Sequence, residues 1–267
     1  MRARAAAAMG LVLVMAAGGA AGRPLIAAHR GGALLWPENS LTAFRGALRL
    51  GAELVELDVH LTRDGEVVVI HDPTLERTTT GRGVVVDRTW AELAGVTVKG
   101  TAGETVPRLA EVLDLIRPSG ARLLLELKVG PDRSPYPGIE GKVLRLLEER
   151  GLAARTTVMA FDWPTLERLR ALSPTLRLTG LLSRRGAEAL GGVRAAAERL
   201  ARLRVDDLGI ERTLLTPEAV AAARTAGLTI GVWTVNDPDE LRAALQAGVD
   251  YVTTDRPDLA LELRAKR

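Results

Sequence analysis

The chain has 267 residues and no cysteine; 47% of its residues are hydrophobic, 26% are charged, and the formal net charge is +3 at pH 7. The lack of cysteine excludes a disulfide framework and a lipid anchor attached to cysteine. Basic and acidic residues interleave without a long basic run, so the charge does not predict a nucleic-acid partner.

Residues 1–22 differ in composition from the rest of the chain. Two arginines precede an apolar stretch and a run of small residues that ends at Gly22. This order is typical of a secretory signal peptide cleaved near residues 21–22, and the apolar run is shorter than the roughly 20 residues of a membrane span. We therefore expect an exported protein, periplasmic or secreted, without a stable membrane anchor. An uncleaved amphipathic or disordered tail is the alternative.

Residues 23–267 alternate between apolar strands and helix-like segments. The predicted strands are Leu25–His29, Glu53–Val59, Arg122–Lys128, Thr156–Ala160, Arg177–Leu182, Asp206–Ile210, Thr229–Thr234 and Asp250–Thr254. Eight strands that alternate with helices over about 245 residues predict an α/β fold, a (β/α)8 TIM barrel. An open doubly wound sheet is the alternative.

Amphipathic segments between these strands predict helices. They are Ile139–Arg150, Pro164–Leu172, Gly186–Ala201, Pro217–Ala226 and Asp239–Ala247. Prolines at helix starts and glycines at helix ends support these bounds. The connection from Asp72 to about Thr105 is longer than the others, and we interpret it as a short insertion after the second strand.

The segment from Val55 to Asp72 predicts a strand, a tight turn and a second strand. Alternation places Glu56 and Asp58 on one face of the first strand. Asp64-Gly65 is a strong hairpin signal. If these two residues form the turn, residue 63 pairs with residue 66 and Asp58 lies opposite His71. Clustered carboxylates beside a histidine are typical of a metal-assisted hydrolase.

Further polar side chains lie where predicted strands end, which is the active-site rim of a barrel. Glu126 and Lys128 end the third strand. Salt bridges across the rim would explain one such group well, but they explain three carboxylates on neighbouring strands poorly. We interpret Glu56, Asp58 and Glu126 as ligands of a divalent metal ion, Ca²⁺ or Mg²⁺. The alternative is that Glu126 only pairs with Lys128.

All three histidines lie between residues 29 and 71. Hydrolysis of an ester needs one proton removed from the nucleophile and one given to the leaving group. We predict that His29 and His71 divide this work, and which of them is the acid stays open. His60 continues the face of Glu56 and Asp58, but we leave it out of catalysis.

Five motifs in order resemble the glycerophosphodiester phosphodiesterase family. They are His29-Arg30-Gly31, Pro37-Glu38-Asn39-Ser40, Glu56-x-Asp58, His71-Asp72 and Glu126-x-Lys128. The resemblance extends from Leu25 to Leu261 and shows one small departure, Ser40 where threonine is common. It implies metal-dependent hydrolysis of a small-molecule glycerophosphodiester to sn-glycerol 3-phosphate and an alcohol. The nucleophile is either water or the substrate's own 2-hydroxyl.

Each of the remaining candidate site residues has both a functional and a structural interpretation. Arg30 and Lys128 can hold phosphate oxygens, or they can neutralise the carboxylates. Asn39 or the serine after it can be a helix N-cap, whereas the resemblance places Glu38 and Asn39 at the site, with Glu38 orienting a catalytic side chain. Trp233 lines an alcohol pocket or packs at the rim. We expect Asp255 to be structural.

Two other functions remain as alternatives. One is a lysophospholipase D-type phosphodiesterase, which needs an apolar, lipid-facing rim. The other is a non-catalytic barrel that binds a phosphate ligand, which the presence of every catalytic candidate disfavours. The sequence leaves open the preferred head group, the metal used in the cell and the oligomeric state.

Overall fold

A computed structural model describes residues 22–266, so nearly all of the predicted signal peptide lies outside the described residues. Its strands follow the predicted pattern. They are β1 Leu25–Ala28, β2 Leu54–Leu61, β3 Val67–Val69, β4 Arg122–Leu127, β5 Thr156–Ala160, β6 Arg177–Leu182, β7 Asp207–Glu211, β8 Thr229–Trp233 and β9 Tyr251–Thr254.

All strands except β3 form a closed parallel barrel. The strand order around the barrel is β1, β9, β8, β7, β6, β5, β4 and β2. The last strand, β2, pairs with β1 and closes the barrel. The closing registers are Ile26 with Val252 and Ala27 with Leu54. The predicted (β/α)8 barrel is therefore confirmed, and the open-sheet alternative is wrong. Closure brings the carboxyl ends of all eight strands to one rim.

Helices cover the outside of the barrel. They are α1 Leu41–Leu50, α2 Trp90–Leu93, α3 Leu109–Ile116, α4 Ile139–Glu149, α5 Trp163–Leu172, α6 Arg184–Leu190, α7 Val193–Arg202, α8 Pro217–Thr225, α9 Pro238–Gln246 and α10 Pro257–Ala265. Prolines do begin α8 and α9, as predicted. Within residues 22–266, none of these helices has the length and apolar character needed to cross a membrane.

The single helix predicted over Gly186–Ala201 is wrong. Two helices, α6 and α7, occupy this stretch and are separated by Gly191 and Gly192. Both glycines have positive φ, 83° and 105°, a backbone conformation that ends a helix and that glycine adopts without steric cost. The other predicted bounds differ from the observed ones by one or two residues.

The predicted register of the β2–β3 hairpin is also wrong, by one residue. Val59 pairs with Val69 and Leu61 with Val67, so the loop has three residues instead of two. Asp58 therefore lies beside Ile70, whose N–H donates to the Asp58 carbonyl at 3.1 Å, and not opposite His71. His71 follows the ladder instead of belonging to it.

The side chain of Asp64 explains the longer loop. Its carboxylate accepts a hydrogen bond from the Thr62 hydroxyl at 2.6 Å and one from the Trp90 N–H at 3.0 Å. Gly65 has a φ of 79°, whereas Asp64 does not have positive φ. A three-residue loop with one left-handed glycine needs only that single residue at positive φ, whereas the predicted two-residue turn needs two.

The insertion after β3 packs around a small core of its own, built from Val68, Ile70, Leu75, Val85, Leu93, Val98 and Val106. It contains α2, whose first turn is closed by a capping box of Thr89 and Glu92. Glu104 ties the insertion to the start of α1, where it accepts hydrogen bonds from the Thr42 N–H and hydroxyl at 3.0 and 2.7 Å. The insertion is thus attached to the outer helix that follows β1.

Candidate active site

Three buried carboxylates form the centre of the rim. Glu56 and Asp58 project from the same face of β2, and Glu126 lies beside Asp58 in the β2–β4 register. Their exposed fractions are 2%, 0% and 8%. One oxygen from each lies within 4.8 Å of the other two. Hard carboxylate oxygens at this spacing are the donor set that Ca²⁺ and Mg²⁺ prefer.

The charges of this cluster are strongly perturbed. Burial and the neighbouring Asp58 raise the pKa of Glu56. Burial also disfavours ionised Asp58, but Lys128 and His71 outweigh it and hold the pKa of Asp58 low. The Asp58 Oδ1 atom is buried without a hydrogen-bond partner. A buried carboxylate oxygen without a hydrogen bond, close to two other carboxylates, fits a site in which a divalent cation would bind all three groups.

Two cationic side chains flank the carboxylates. Lys128 Nζ lies 2.8 Å from Glu126 Oε1 and 3.4 Å from Asp58 Oδ1. Although burial disfavours the ammonium, Glu126 and Asp58 raise its pKa. Arg30 Nε lies 3.6 Å from Asp58 Oδ2. Glu126 pairs with Lys128, which was the alternative that the sequence left open. It also belongs to the three-carboxylate cluster, so the two arrangements occur together.

A strained loop after β1 places Arg30 over the cluster. Arg30 has a φ of 51°, which costs about 1–3 kcal/mol for a residue other than glycine. Its N–H donates to Glu56 Oε2 at 2.7 Å. At Gly31, which has a φ of 84°, a Cβ would come within 2.7 Å of the Ala43 Cβ on α1, so this position needs glycine for both conformation and packing.

Asn39 and Ser40 have different tasks. Ser40 is the N-cap of α1, with its side chain accepting from the Ala43 N–H at 3.0 Å. Asn39 has a φ of 54°, and its Nδ2 donates to Asp58 Oδ2 at 2.9 Å. The helix start predicted near Ser40 is confirmed, and Asn39 holds a carboxylate instead of capping the helix.

His29 is oriented by a chain of polar side chains from the last strands of the barrel. Its Nδ1 lies 2.7 Å from Asp255 Oδ1, and Asn236 donates to Asp255 Oδ2 at 2.6 Å. A carboxylate only accepts, so Nδ1 carries the hydrogen. Nε2 then faces Glu56 Oε2 at 4.0 Å. Burial lowers the pKa of His29, but Glu56 and Asp255 outweigh it and raise the pKa.

His71 has an equivalent arrangement with its sequence neighbour. His71 Nδ1 lies 2.7 Å from Asp72 Oδ1, so its Nε2 is likewise the free ring nitrogen. Burial, together with Lys128, lowers the pKa of His71. Arg77 from the insertion donates to Asp72 at 2.5 Å and to Glu38 at 2.7 Å, and Glu38 in turn accepts from Arg30 at 3.0 Å.

These groups open into a cavity at the rim of the barrel. One side is polar and is formed by His29, Arg30, Glu56, His71, Glu126 and Lys128. The other side is largely apolar and includes Met159, Phe161, Leu181 and Trp233. Trp233 donates through Nε1 to the Gly209 carbonyl at 3.0 Å and meets Phe161 edge to face, with ring centroids 5.4 Å apart. A charged wall opposite an apolar wall suits a ligand with a phosphate and a carbon skeleton.

The structure brings the ten predicted site residues together at the cavity, with Trp233 on the wall away from the carboxylates. Asp58, Glu38 and Asn39 are absent from the cavity lining; Asn39 donates to Asp58, and Glu38 accepts from Arg30. Sequence reasoning did not assign the two histidines their partners, since it took Asp255 as structural and gave Asp72 only as part of the His71-Asp72 motif. The position of Asp72 directly after His71 was a usable signal, whereas the contact of His29 with Asp255 joins residues 226 positions apart and left no local signal.

Comparisons with known proteins show what the whole chain is similar to. The sequence model of the glycerophosphoryl diester phosphodiesterase family matches residues 29–259 of this chain. A glycerophosphodiester phosphodiesterase of Caldanaerobacter subterraneus subsp. tengcongensis is 34% identical over 91% of this chain and 99% of its own length.

Two solved structures are also similar. A glycerophosphodiester phosphodiesterase of Agrobacterium tumefaciens superposes with a TM-score of 0.75 at 30% identity, over 90% of this chain and 99% of that chain. An Oleispira antarctica phosphodiesterase in complex with the product sn-glycerol-3-phosphate gives a TM-score of 0.77 at 27% identity, over 90% and 96% of the two chains.

Proposed function

The chain belongs to the glycerophosphoryl diester phosphodiesterase family, and we propose that it hydrolyses glycerophosphodiesters to sn-glycerol 3-phosphate and an alcohol with the help of a divalent cation. One observation carries the metal-dependent part of this proposal. Glu56, Asp58 and Glu126 are buried together, with one oxygen of each within 4.8 Å of the others. Three carboxylates buried this closely repel one another unless positive charge lies among them.

The same three residues would hold the cation, Ca²⁺ or Mg²⁺. When bound, it supplies positive charge to the phosphate oxygens and lowers the pKa of the attacking oxygen. Lys128 and Arg30 neutralise part of the cluster in this structure. With a cation present, their charges become available for the remaining phosphate oxygens, where they offset the charge that develops in the transition state.

His29 and His71 carry the proton transfers in this proposal. Each donates its Nδ1 hydrogen to an aspartate, so each presents Nε2 to the cavity. One imidazole takes the proton of the nucleophile and the other gives a proton to the leaving alkoxide. Asp255 and Asp72 fix the ring orientations and stabilise the imidazolium form of their partners. The nucleophile is water or the 2-hydroxyl of the glycerol.

A lysophospholipase D-type activity is the second candidate, and one observation favours it. Phe161 at the apolar wall of the cavity is 45% exposed, and Leu34 in the loop after β1 is 62% exposed. The large hydrophobic side chains that are exposed among residues 22–266 do not include any from the 72–105 insertion. The apolar rim is therefore small, which ranks lysophospholipids below small-alcohol diesters as substrates.

A substrate panel tests the activity and separates these candidates. The chain from Arg23 onward is assayed for release of sn-glycerol 3-phosphate from glycerophosphocholine and for release of choline from lysophosphatidylcholine. We expect the first activity to dominate and Glu56→Gln to lower it by at least about 100-fold, while the matched hairpin variant Glu66→Gln keeps it. Folded protein that acts on neither diester would overturn the proposal and favour the non-catalytic phosphate-binding barrel.

We also propose that residues 1–22 direct export and are removed near residues 21–22, since their composition follows the signal-peptide pattern. The carbonyl of Pro24 accepts a hydrogen bond from Arg264 on α10 at 2.8 Å. Removal of the preceding residues therefore leaves this contact intact. The amino-terminal sequence of the protein purified from the exporting cell tests the cleavage point, and an intact Met1 in exported protein would contradict it.

A further inference from the structure

His60, the histidine without a part in the proposed chemistry, lies fully buried in β2, two residues after Asp58. Both of its ring nitrogens have partners. Nδ1 lies 2.7 Å from the Tyr136 hydroxyl, and Nε2 lies 3.0 Å from the carbonyl oxygen of His71. The imidazole also meets the Tyr136 ring edge to face at a centroid distance of 5.6 Å. Its contacts therefore lead to the backbone of a predicted catalytic residue.

The partners fix the direction of each hydrogen bond. A backbone carbonyl only accepts, so His60 Nε2 carries the hydrogen and donates it to His71. Nδ1 of the neutral ring then accepts from the hydroxyl of Tyr136. The chain Tyr136–His60–His71 is thus a polarised series of two hydrogen bonds with every group satisfied.

This series begins where the β-ladder ends. The last backbone bond of the hairpin joins the Ile70 N–H to Asp58, so the carbonyl of His71 lies beyond the ladder and needs another donor. His60 supplies it, while Asp72 holds the imidazole of the same residue. Tyr136 lies 5% exposed in the loop after β4, the strand that carries Glu126. The two loops are therefore joined through one buried imidazole.

We infer that His60 is a positioning residue for His71, and that Tyr136 holds His60 in the tautomer this task requires. The inference rests on the part that the proposed function gives to His71. His60 is absent from the cavity wall, so its effect on the reaction passes through the backbone of His71. Misplacing a reacting group by about 1 Å can cost about 100-fold in rate.

A matched pair of variants tests the hydrogen bond to His71. His60→Leu removes both hydrogen bonds at similar volume, and His60→Gln restores an N–H that can reach the His71 carbonyl. We expect His60→Leu to lower kcat on glycerophosphocholine by about 10- to 100-fold with KM within twofold, and His60→Gln to recover most of the loss. Tyr136→Phe removes a single oxygen and should give a smaller loss in kcat, so it carries the test if His60→Leu does not fold. Equal loss in the Leu and Gln variants would contradict the inference.

A double-mutant cycle separates positioning of His71 from damage to the carboxylates on the same strand. In a His71→Ala background, His60→Leu should lower single-turnover product release by less than twofold, since the residue through which it acts is gone. A further loss as large as in the wild-type background would overturn the inference. If His71→Ala loses activity but His60→Leu and Tyr136→Phe keep it, only the inference fails. If His71→Ala itself keeps full activity, the proposed part of His71 fails and the inference fails with it.

Discussion

The substitution Asp255→Asn tests how the site holds His29. Two donors converge on this carboxylate, His29 Nδ1 at 2.7 Å and Asn236 Nδ2 at 2.6 Å. An asparagine offers one acceptor oxygen and one NH₂ group, so one of the two donors then faces another donor. Either His29 changes its tautomer and turns an N–H toward Glu56, or the bond from Asn236 is lost.

The size of the effect follows from the bond that is lost. A hydrogen bond to a charged group contributes about 1.5–3 kcal/mol. With His29 as the general base, the His29–Asp255 bond strengthens as the ring becomes an imidazolium, so its loss falls mainly on the transition state. At about 1.36 kcal/mol per tenfold, kcat should fall by roughly 10- to 150-fold. KM for glycerophosphocholine should change little, since Asp255 does not line the cavity.

Steady-state kinetics at saturating metal provide the assay, with Asp258→Asn as the control. Asp258 pairs with Arg256 at 2.8 Å in the first turn of α10, outside the cavity, and its substitution should leave kcat within twofold. In a His29→Ala background, Asp255→Asn should have almost no further effect. Wild-type kcat in Asp255→Asn, or an undiminished effect in the His29→Ala background, would refute the reasoning.

Three further predictions concern the loops and the base of the barrel. Arg77→Ala removes the bidentate bonds that join two loop carboxylates; kcat/KM should fall about tenfold, whereas unchanged kinetics would show that the loops hold their positions without it. Gly31→Ala should lower the free energy of unfolding by about 1–3 kcal/mol in urea titrations. Gly120→Ala should be near neutral, because no atom lies within 4 Å of the added Cβ. Equal effects of the two substitutions would contradict the packing argument. Burial raises the pKa of Glu53, but the hydrogen bond from Arg264 outweighs burial and lowers the pKa below 4.5. Glu53→Gln should therefore lower the free energy of unfolding at pH 7, and this difference should vanish as the pH falls through the lowered pKa of Glu53. A loss of stability that persists in acid would contradict this linkage.

Local patterns in the sequence are sufficient to predict the strands and most of the polar rim. Glu56 and Asp58 alternate within a continuous apolar run, and Glu126 ends a second such run, so their convergence follows from parallel strands that end at one rim. The same reasoning places His29 beside the cluster, because it directly follows the first strand. These positions depend on strand period and strand order, both of which are properties of short segments.

Contacts between distant segments are not predictable in this way. The hairpin register depends on Asp64, whose carboxylate is held by the backbone of Trp90, 26 residues away. That contact competes with the two-residue turn that Asp64-Gly65 favours locally. The partner of His29 is likewise distant in sequence, and Tyr136 reaches His60 across 76 residues. Side chains that orient catalytic groups are chosen by tertiary packing, so a single sequence carries little sign of them.

Metal titration of the stripped enzyme tests the central claim most directly. The chain from Arg23 onward is treated with EDTA and dialysed, then titrated with Mg²⁺ or Ca²⁺ while binding is followed by calorimetry and glycerol 3-phosphate release is followed in parallel. We predict one ion per chain, with activity that rises in proportion to occupancy, and neither binding nor activity in Glu56→Gln. Full activity of the stripped enzyme without added metal, or metal-dependent activity unchanged in Glu56→Gln, would contradict the account.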